Sequence, residues 1–168
     1  MFLSPAAASL SIAASPASEI ETELLIVPLF EDDPLEDVPG LAEASGGHIR
    51  RAQESRELRG RPYEYFVTPM AGWKASRVLL VGAGKRAEFD TERLRRVATA
   101  AALGARVRRV GRIAFMMRGD LEPRAAVQAA AEGLGLAPFS VDRYKSVEKA
   151  GPPAEKIVLV VPQLSDDL

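Results

Sequence analysis

The chain has 168 residues, 47% hydrophobic and 27% charged, with a formal net charge of −1. One domain of that length buries roughly 70% of its unfolded surface, so wholesale disorder is excluded and no metal or cross-link is needed to hold a core. Near-neutral charge gives no global drive toward nucleic acid or an anionic membrane, and the absence of cysteine rules out disulfides, thiolate nucleophiles and cysteine metal sites.

Residues 1–18 are rich in Ala, Ser and Pro. No Lys or Arg precedes the apolar stretch and Ser and Pro interrupt it, so a first strand over residues 7–13 is expected rather than a secretory leader. A short turn over residues 16–20 then leads to Leu24–Phe30, a nearly continuous apolar run of the kind covered on both faces of a sheet. Pro28 within it argues for an edge position or a bulge. Glu31, Asp32, Asp33, Glu36 and Asp37 follow as an acidic loop, read as a solvated turn, with a cation site as the alternative.

Residues 41–58 read as helical, interrupted at Gly46 and Gly47, with the chain's one histidine, His48, behind them. Alternation over residues 63–68 predicts a strand, and a turn holding Trp73 follows. Residues 77–81 form a second buried strand ending in Gly82, Ala83, Gly84 and Lys85. Asp90 is a good N-cap for a helix over residues 91–107, whose Leu94, Val97, Ala98, Ala101 and Ala105 share one face. A strand over residues 112–117, a helix from Pro123 stopped by Gly133 and Gly135, and a strand over residues 157–161 complete the series. Strands alternating with helices predict an α/β fold: a mixed, mostly parallel sheet with helices on both faces, the mixed character arising from an N-terminal strand pair. A single domain over residues 1–168 is expected, with flexible ends at 1–6 and 163–168. No apolar run approaches the roughly 20 residues that span a bilayer.

Gly82, Gly84 and Lys85 are a candidate ligand loop, because glycines admit a phosphate to the backbone and a following helix supplies amides. Against this, the helix starts late, its cap is a carboxylate, and no acidic residue stands about 20 positions on to hold a ribose. Arg86 occupies the place where a Walker loop needs Ser or Thr. A structural turn is the competing reading. Arg106, Arg108, Arg109, Arg112 and Arg118 form a basic run, either complementing a helix C-terminus or marking a phosphate or nucleic-acid patch. No aromatic residue interleaves with them, so a base-stacking platform is unsupported. One His and no nucleophile elbow leave no triad, and no metal-ligand spacing is present, so no catalytic residue and no metal ligand is assigned.

Three ordered stretches nevertheless resemble the N-terminal domain of the leucyl (cytosol) aminopeptidase family. The first is the run Leu24–Phe30 with its acidic loop. The second is Arg77 through Lys85 with the capped Ala-rich helix. The third spans residues 129–146, with Glu132-Gly133 and then Asp142, Arg143, Tyr144, Lys145 and Ser146; Phe139 stands where the family often has Tyr. The resemblance implies a macro-domain-like fold. It also implies a cytoplasmic, hexameric parent that releases N-terminal amino acids from peptides with two divalent metals, zinc or manganese. The family's metal ligands and catalytic residues belong to a C-terminal domain absent from this sequence, so no cofactor is expected in this chain. Its expected partners are that catalytic domain and sister subunits, in a role of subunit association and control of access. An ADP-ribose or nucleotide module and a DNA-binding accessory domain are the alternatives.

Overall fold

The computed structural model describes residues 8–136 and 151–164. The apolar run Leu24–Phe30 becomes β2, buried along its whole length. Its alternation divides the core in two. Leu24 and Ile26 point to one face of the sheet, and Leu25, Val27 and Leu29 to the other. Such a strand must be central, and it is: the six-stranded sheet runs β1-β6-β5-β2-β4-β3. Its other members are β1 (Ser9–Ala13), β3 (Tyr65–Pro69), β4 (Arg77–Gly84), β5 (Arg112–Met116) and β6 (Lys156–Val160). Every neighbouring pair is parallel except β3 with β4.

One face carries α3 (Thr91–Val107) and α4 (Pro123–Leu136). Leu94, Val97, Ala98, Ala101 and Ala105 form the buried stripe of α3, and Ala126, Ala129 and Ala130 that of α4. Small side chains bring both helices close to the sheet and to each other. The other face is covered by α1 (Leu41–Ala44), α2 (His48–Glu54) and the 35–38 loop, through Leu35, Val38, Leu41, Ile49 and Ala52. Glycines at φ 63° and 75°, Gly46 and Gly47, break the expected helix over 41–58 into these two short pieces.

Four expectations are corrected. β1 does not pair with the next strand; it runs parallel to β6 at the far edge, and the mixed character comes from β3. Of the two readings of Pro28, the edge position fails because β2 is central, while the β2–β4 register does shift just beyond it, between Leu29 and Phe30. The β2–β5 ladder ends at Ile26, and the Pro28 carbonyl accepts from the Arg118 side chain instead, so the missing N–H falls where no strand asks for one. Gly82 to Gly84 are the last residues of β4 rather than a loop. Gly133 does not stop α4, which runs on to Leu136; it is buried at the crossing with α3, where a Cβ would lie 2.2 Å from the Arg95 carbonyl oxygen. The stretch holding Phe139 and residues 142–146 lies outside the described residues, as do the expected flexible ends apart from Gln163 and Leu164.

The chain leaves β2 toward α1 and α2 on one face and leaves β5 toward α4 on the other. The carboxyl ends of β2 and β5 are therefore where adjacent connections diverge. In open α/β sheets that crevice is the usual ligand position.

Candidate functional site

Arg118, two residues beyond β5, fills this crevice. Its side chain is 2% exposed, and a buried guanidinium needs partners for its donors. It meets the Asp33 carboxylate at 2.7 and 3.1 Å and Asp37 through both Nε and a terminal nitrogen, and it also donates to the Pro28 carbonyl. Asp33, 3% exposed, accepts in addition from the backbone N–H groups of Phe30 and Leu35. Burial works to raise the Asp33 pKa, but the Arg118 hydrogen bond and charge, with those two N–H donors, hold it below the usual carboxylate range. Burial likewise opposes the Arg118 charge, and Asp37 and Asp33 outweigh it.

The acidic loop is thus a cation site whose cation belongs to the protein. Among the described residues no group of three or more His, Cys, Asp or Glu side chains could hold a metal ion. Asp33 and Asp37 are occupied by a guanidinium that would repel a divalent ion. His48 is exposed at the start of α2. The described residues do not fit a two-metal centre.

Gly82 and Gly84 are used by the chain itself. The Gly82 N–H donates to the Glu64 carbonyl and the Tyr63 N–H to the Gly82 carbonyl, both at 2.8 Å. The Gly84 N–H donates to the Gly60 carbonyl at 2.8 Å, and the Glu31 N–H to the Gly84 carbonyl at 3.0 Å. A Cβ on Gly82 would sit 1.7 Å from the Arg61 carbonyl oxygen. The close backbone approach that these glycines allow is therefore to residues 60–64. Lys85 lies 3.9 Å from Glu88. Both long helices also bring their own anion. Asp90 accepts from the Arg93 N–H at 2.7 Å. Glu122 accepts from the N–H groups of Arg124 and Ala125 at 2.9 and 2.7 Å, which hold its pKa low. Carboxylates thus stand where a phosphate would use the helix N-termini.

The arginine run disperses. Arg106 donates to the Gly151 carbonyl. Arg108 donates to the Gly104 carbonyl and lies over the Tyr65 ring. Arg112 stands 4.0 Å from Glu23 at the amino end of β5, Arg118 is buried beyond its carboxyl end, and Arg109 adopts a left-handed φ of 53°.

Among the described residues, the two larger clefts at the carboxyl side of the sheet are these. One, of about 600 Å³, is mainly apolar and lies between residues 14–18, Val38, Met116, Val160 and Pro162. The other, of about 420 Å³, lies between the end of β2 and the segment after α2. Phe30 links the two regions: Arg86 stacks 4.2 Å from its ring centroid and Arg118 lies 5.5 Å away, within cation–π reach. Sequence reading missed the Arg118 network. The available signal was Asp33 and Asp37 soon after one buried strand, β2, and Arg118 soon after another, β5.

A mixed sheet of this order, helices on both faces and the crevice at the β2–β5 divergence define an α/β domain of macro-like architecture. A Trypanosoma brucei macrodomain solved in complex with ADP-ribose superposes with a TM-score of 0.63 at 16% identity, covering 92% of this chain and 64% of that one. A tomato leucine aminopeptidase mutant superposes with a TM-score of 0.76 at 18% identity, over 99% of this chain and 35% of that one. Both likenesses are of fold alone. Family membership comes from sequence: residues 26–148 match the N-terminal domain of the cytosol aminopeptidase family. A probable cytosol aminopeptidase of Solibacter usitatus is 34% identical over 138 residues, 82% of this chain. The chain belongs to the cytosol aminopeptidase family, as its N-terminal domain. It spans between 27% and 34% of the length of the first curated relatives it matches.

Proposed function

We propose that the chain is the non-catalytic part of a metal-dependent aminopeptidase, serving subunit association and access to a catalytic chamber built elsewhere. The match of residues 26–148 to the family's N-terminal domain, within relatives about three times as long, carries this reading. The hydrolytic site, its two zinc or manganese ions and the peptide substrate belong to the remaining length. The parent assembles as a cytoplasmic hexamer. Among the described residues no helix is long and apolar enough to cross a membrane, which is compatible with that location.

The arrangement of the crevice supports a packing role over a nucleotide-binding one. Arg118, Asp33 and Asp37 occupy it, and Asp90 and Glu122 occupy the helix N-termini. Light scattering of the whole enzyme with and without this domain tests the role. Loss of the full assembly on deletion is expected. An intact assembly with unaltered preference for short over long peptides would refute it.

A further inference from the structure

We propose that the 420 Å³ cleft beyond β2 binds a zwitterionic short peptide, its ammonium toward Glu31 and Asp32 and its carboxylate toward Arg56, Arg59 and Arg61. The inference stands on the cleft's own geometry and does not depend on the aminopeptidase reading. Glu31 and Asp32 come directly after β2, and the three arginines come from the segment after α2, so the two signs line one cleft from different segments. Some surface charges pair, as in Arg50–Glu43, Lys74–Glu19 and Arg96–Glu92, and Arg59 Nε donates to the Arg56 carbonyl at 3.0 Å; the cleft differs in bringing unpaired groups of both signs to one concave site. Among the described residues none of the five cleft groups forms an ion pair. A simple anion would be attracted by one wall and repelled by the other, and so would a simple cation. A molecule carrying both charges satisfies both walls, and guanidinium forks suit a carboxylate in particular.

The walls are held in place. The Gln53 side chain at α2 donates to the Asp33 carbonyl at 3.0 Å, tying the arginine segment to the acidic loop. Asp33 is anchored in turn by buried Arg118. Gly60 lies under β2, where a Cβ would meet the Phe30 carbonyl oxygen at 2.3 Å. Two of the five charged residues also occupy backbone positions that favour glycine. Asp32 has φ 57° and Arg56 has φ 59°. Arg56 is the residue after the C-cap of α2, its N–H donating to the Gln53 carbonyl, a place commonly held by glycine. Asp tolerates the left-handed region better than most residues, and Leu35, Tyr63 and Arg109 also adopt it, so of the two the costlier is Arg56, whose long side chain is kept at a position that favours glycine. The volume lies in the lower part of the range of about 300–1,000 Å³ usual for small-molecule sites.

The same backbone fact supplies the test, because Arg56→Gly and Asp32→Gly remove a charge without disturbing the fold. Calorimetry and amide chemical-shift mapping of this chain use the dipeptide Leu-Gly, its N-acetyl form, its C-terminal amide and inorganic phosphate, at constant ionic strength. Leu-Gly is expected to bind at millimolar or tighter concentration, shifting residues 30–32 and 56–61. Blocking either end should weaken it by about tenfold or more, the effect of one charge-assisted hydrogen bond. Arg56→Gly should weaken Leu-Gly and reduce discrimination against the amide, which Arg59 and Arg61 still supply in part, and Asp32→Gly should reduce discrimination against the acetyl form, which Glu31 still supplies in part, each melting no lower than the parent. Equal binding of blocked and unblocked forms, binding of phosphate as tight as the dipeptide, or no shift at about twenty millimolar overturns the proposal.

Discussion

Arg118 shows how one residue decides the character of a whole crevice. Its side chain and that of Asp33 are almost fully excluded from water, so removing Arg118 leaves the Asp33 carboxylate as an uncompensated charge in the interior, whereas Arg118 without Asp33 still has Asp37. Arg118→Met is therefore expected to cost about 3–5 kcal/mol of stability by denaturant unfolding. Adding Asp33→Asn keeps an acceptor for the Leu35 N–H and removes the orphaned charge, so the double variant should lose clearly less than the sum of the single losses. Strict additivity would show that the two side chains do not act as a unit. The pH dependence has the same origin. The folded-state pKa of Asp33 is lowered, so its contribution is complete above the unfolded value of about 3.9 and is lost as pH falls through the lower folded value. In Asp33→Asn the loss of stability below pH ~4 should be shallower than in the parent. Little of this network was legible: the acidic loop reads first as a solvated turn, with a cation site only as the alternative, whereas Asp33 is buried, and only folding brings residue 118 to residue 33.

Elements were legible where a local pattern determines them. The stripe of α3, its Asp90 cap and the two-sided burial of β2 follow from periodicity and one capping residue. What periodicity lacks is pairing. Nothing local tells β1 to cross to β6, and nothing local tells Pro28 that an arginine side chain will take its carbonyl. Glycines were misread for a related reason, since their punctuation role is a local habit whereas close packing is a tertiary demand. Gly133 makes the difference measurable. Helix propensity alone favours alanine there by about 1 kcal/mol. A Cβ 2.2 Å from the Arg95 carbonyl oxygen and 2.8 Å from the Ala98 Cβ meets a backbone that cannot swing aside. Overpacking of that kind costs about 1–3 kcal/mol or more. Gly133→Ala should therefore lower the melting temperature; a rise would mean that α3 and α4 are less closely joined than described.

At the scale of the molecule, the same sheet carries two kinds of message. Its order and its crevice are macro-like, yet the positions where such an architecture could receive phosphate are taken by Asp33, Asp37, Asp90 and Glu122 or by the chain's own residues 60–64. Fold class was readable from the alternation of strands and helices, and family from three ordered stretches. The crevice was not readable, because it is assembled from segments some eighty residues apart. In the proposed reading, peptide hydrolysis belongs to the part of the parent protein outside this domain. Its most direct measurement is release of p-nitroaniline from leucine p-nitroanilide by the purified 168-residue chain in Mn²⁺ or Zn²⁺, beside the whole enzyme. Turnover by the whole enzyme and none by the chain is expected; metal-dependent turnover by the chain alone would contradict it.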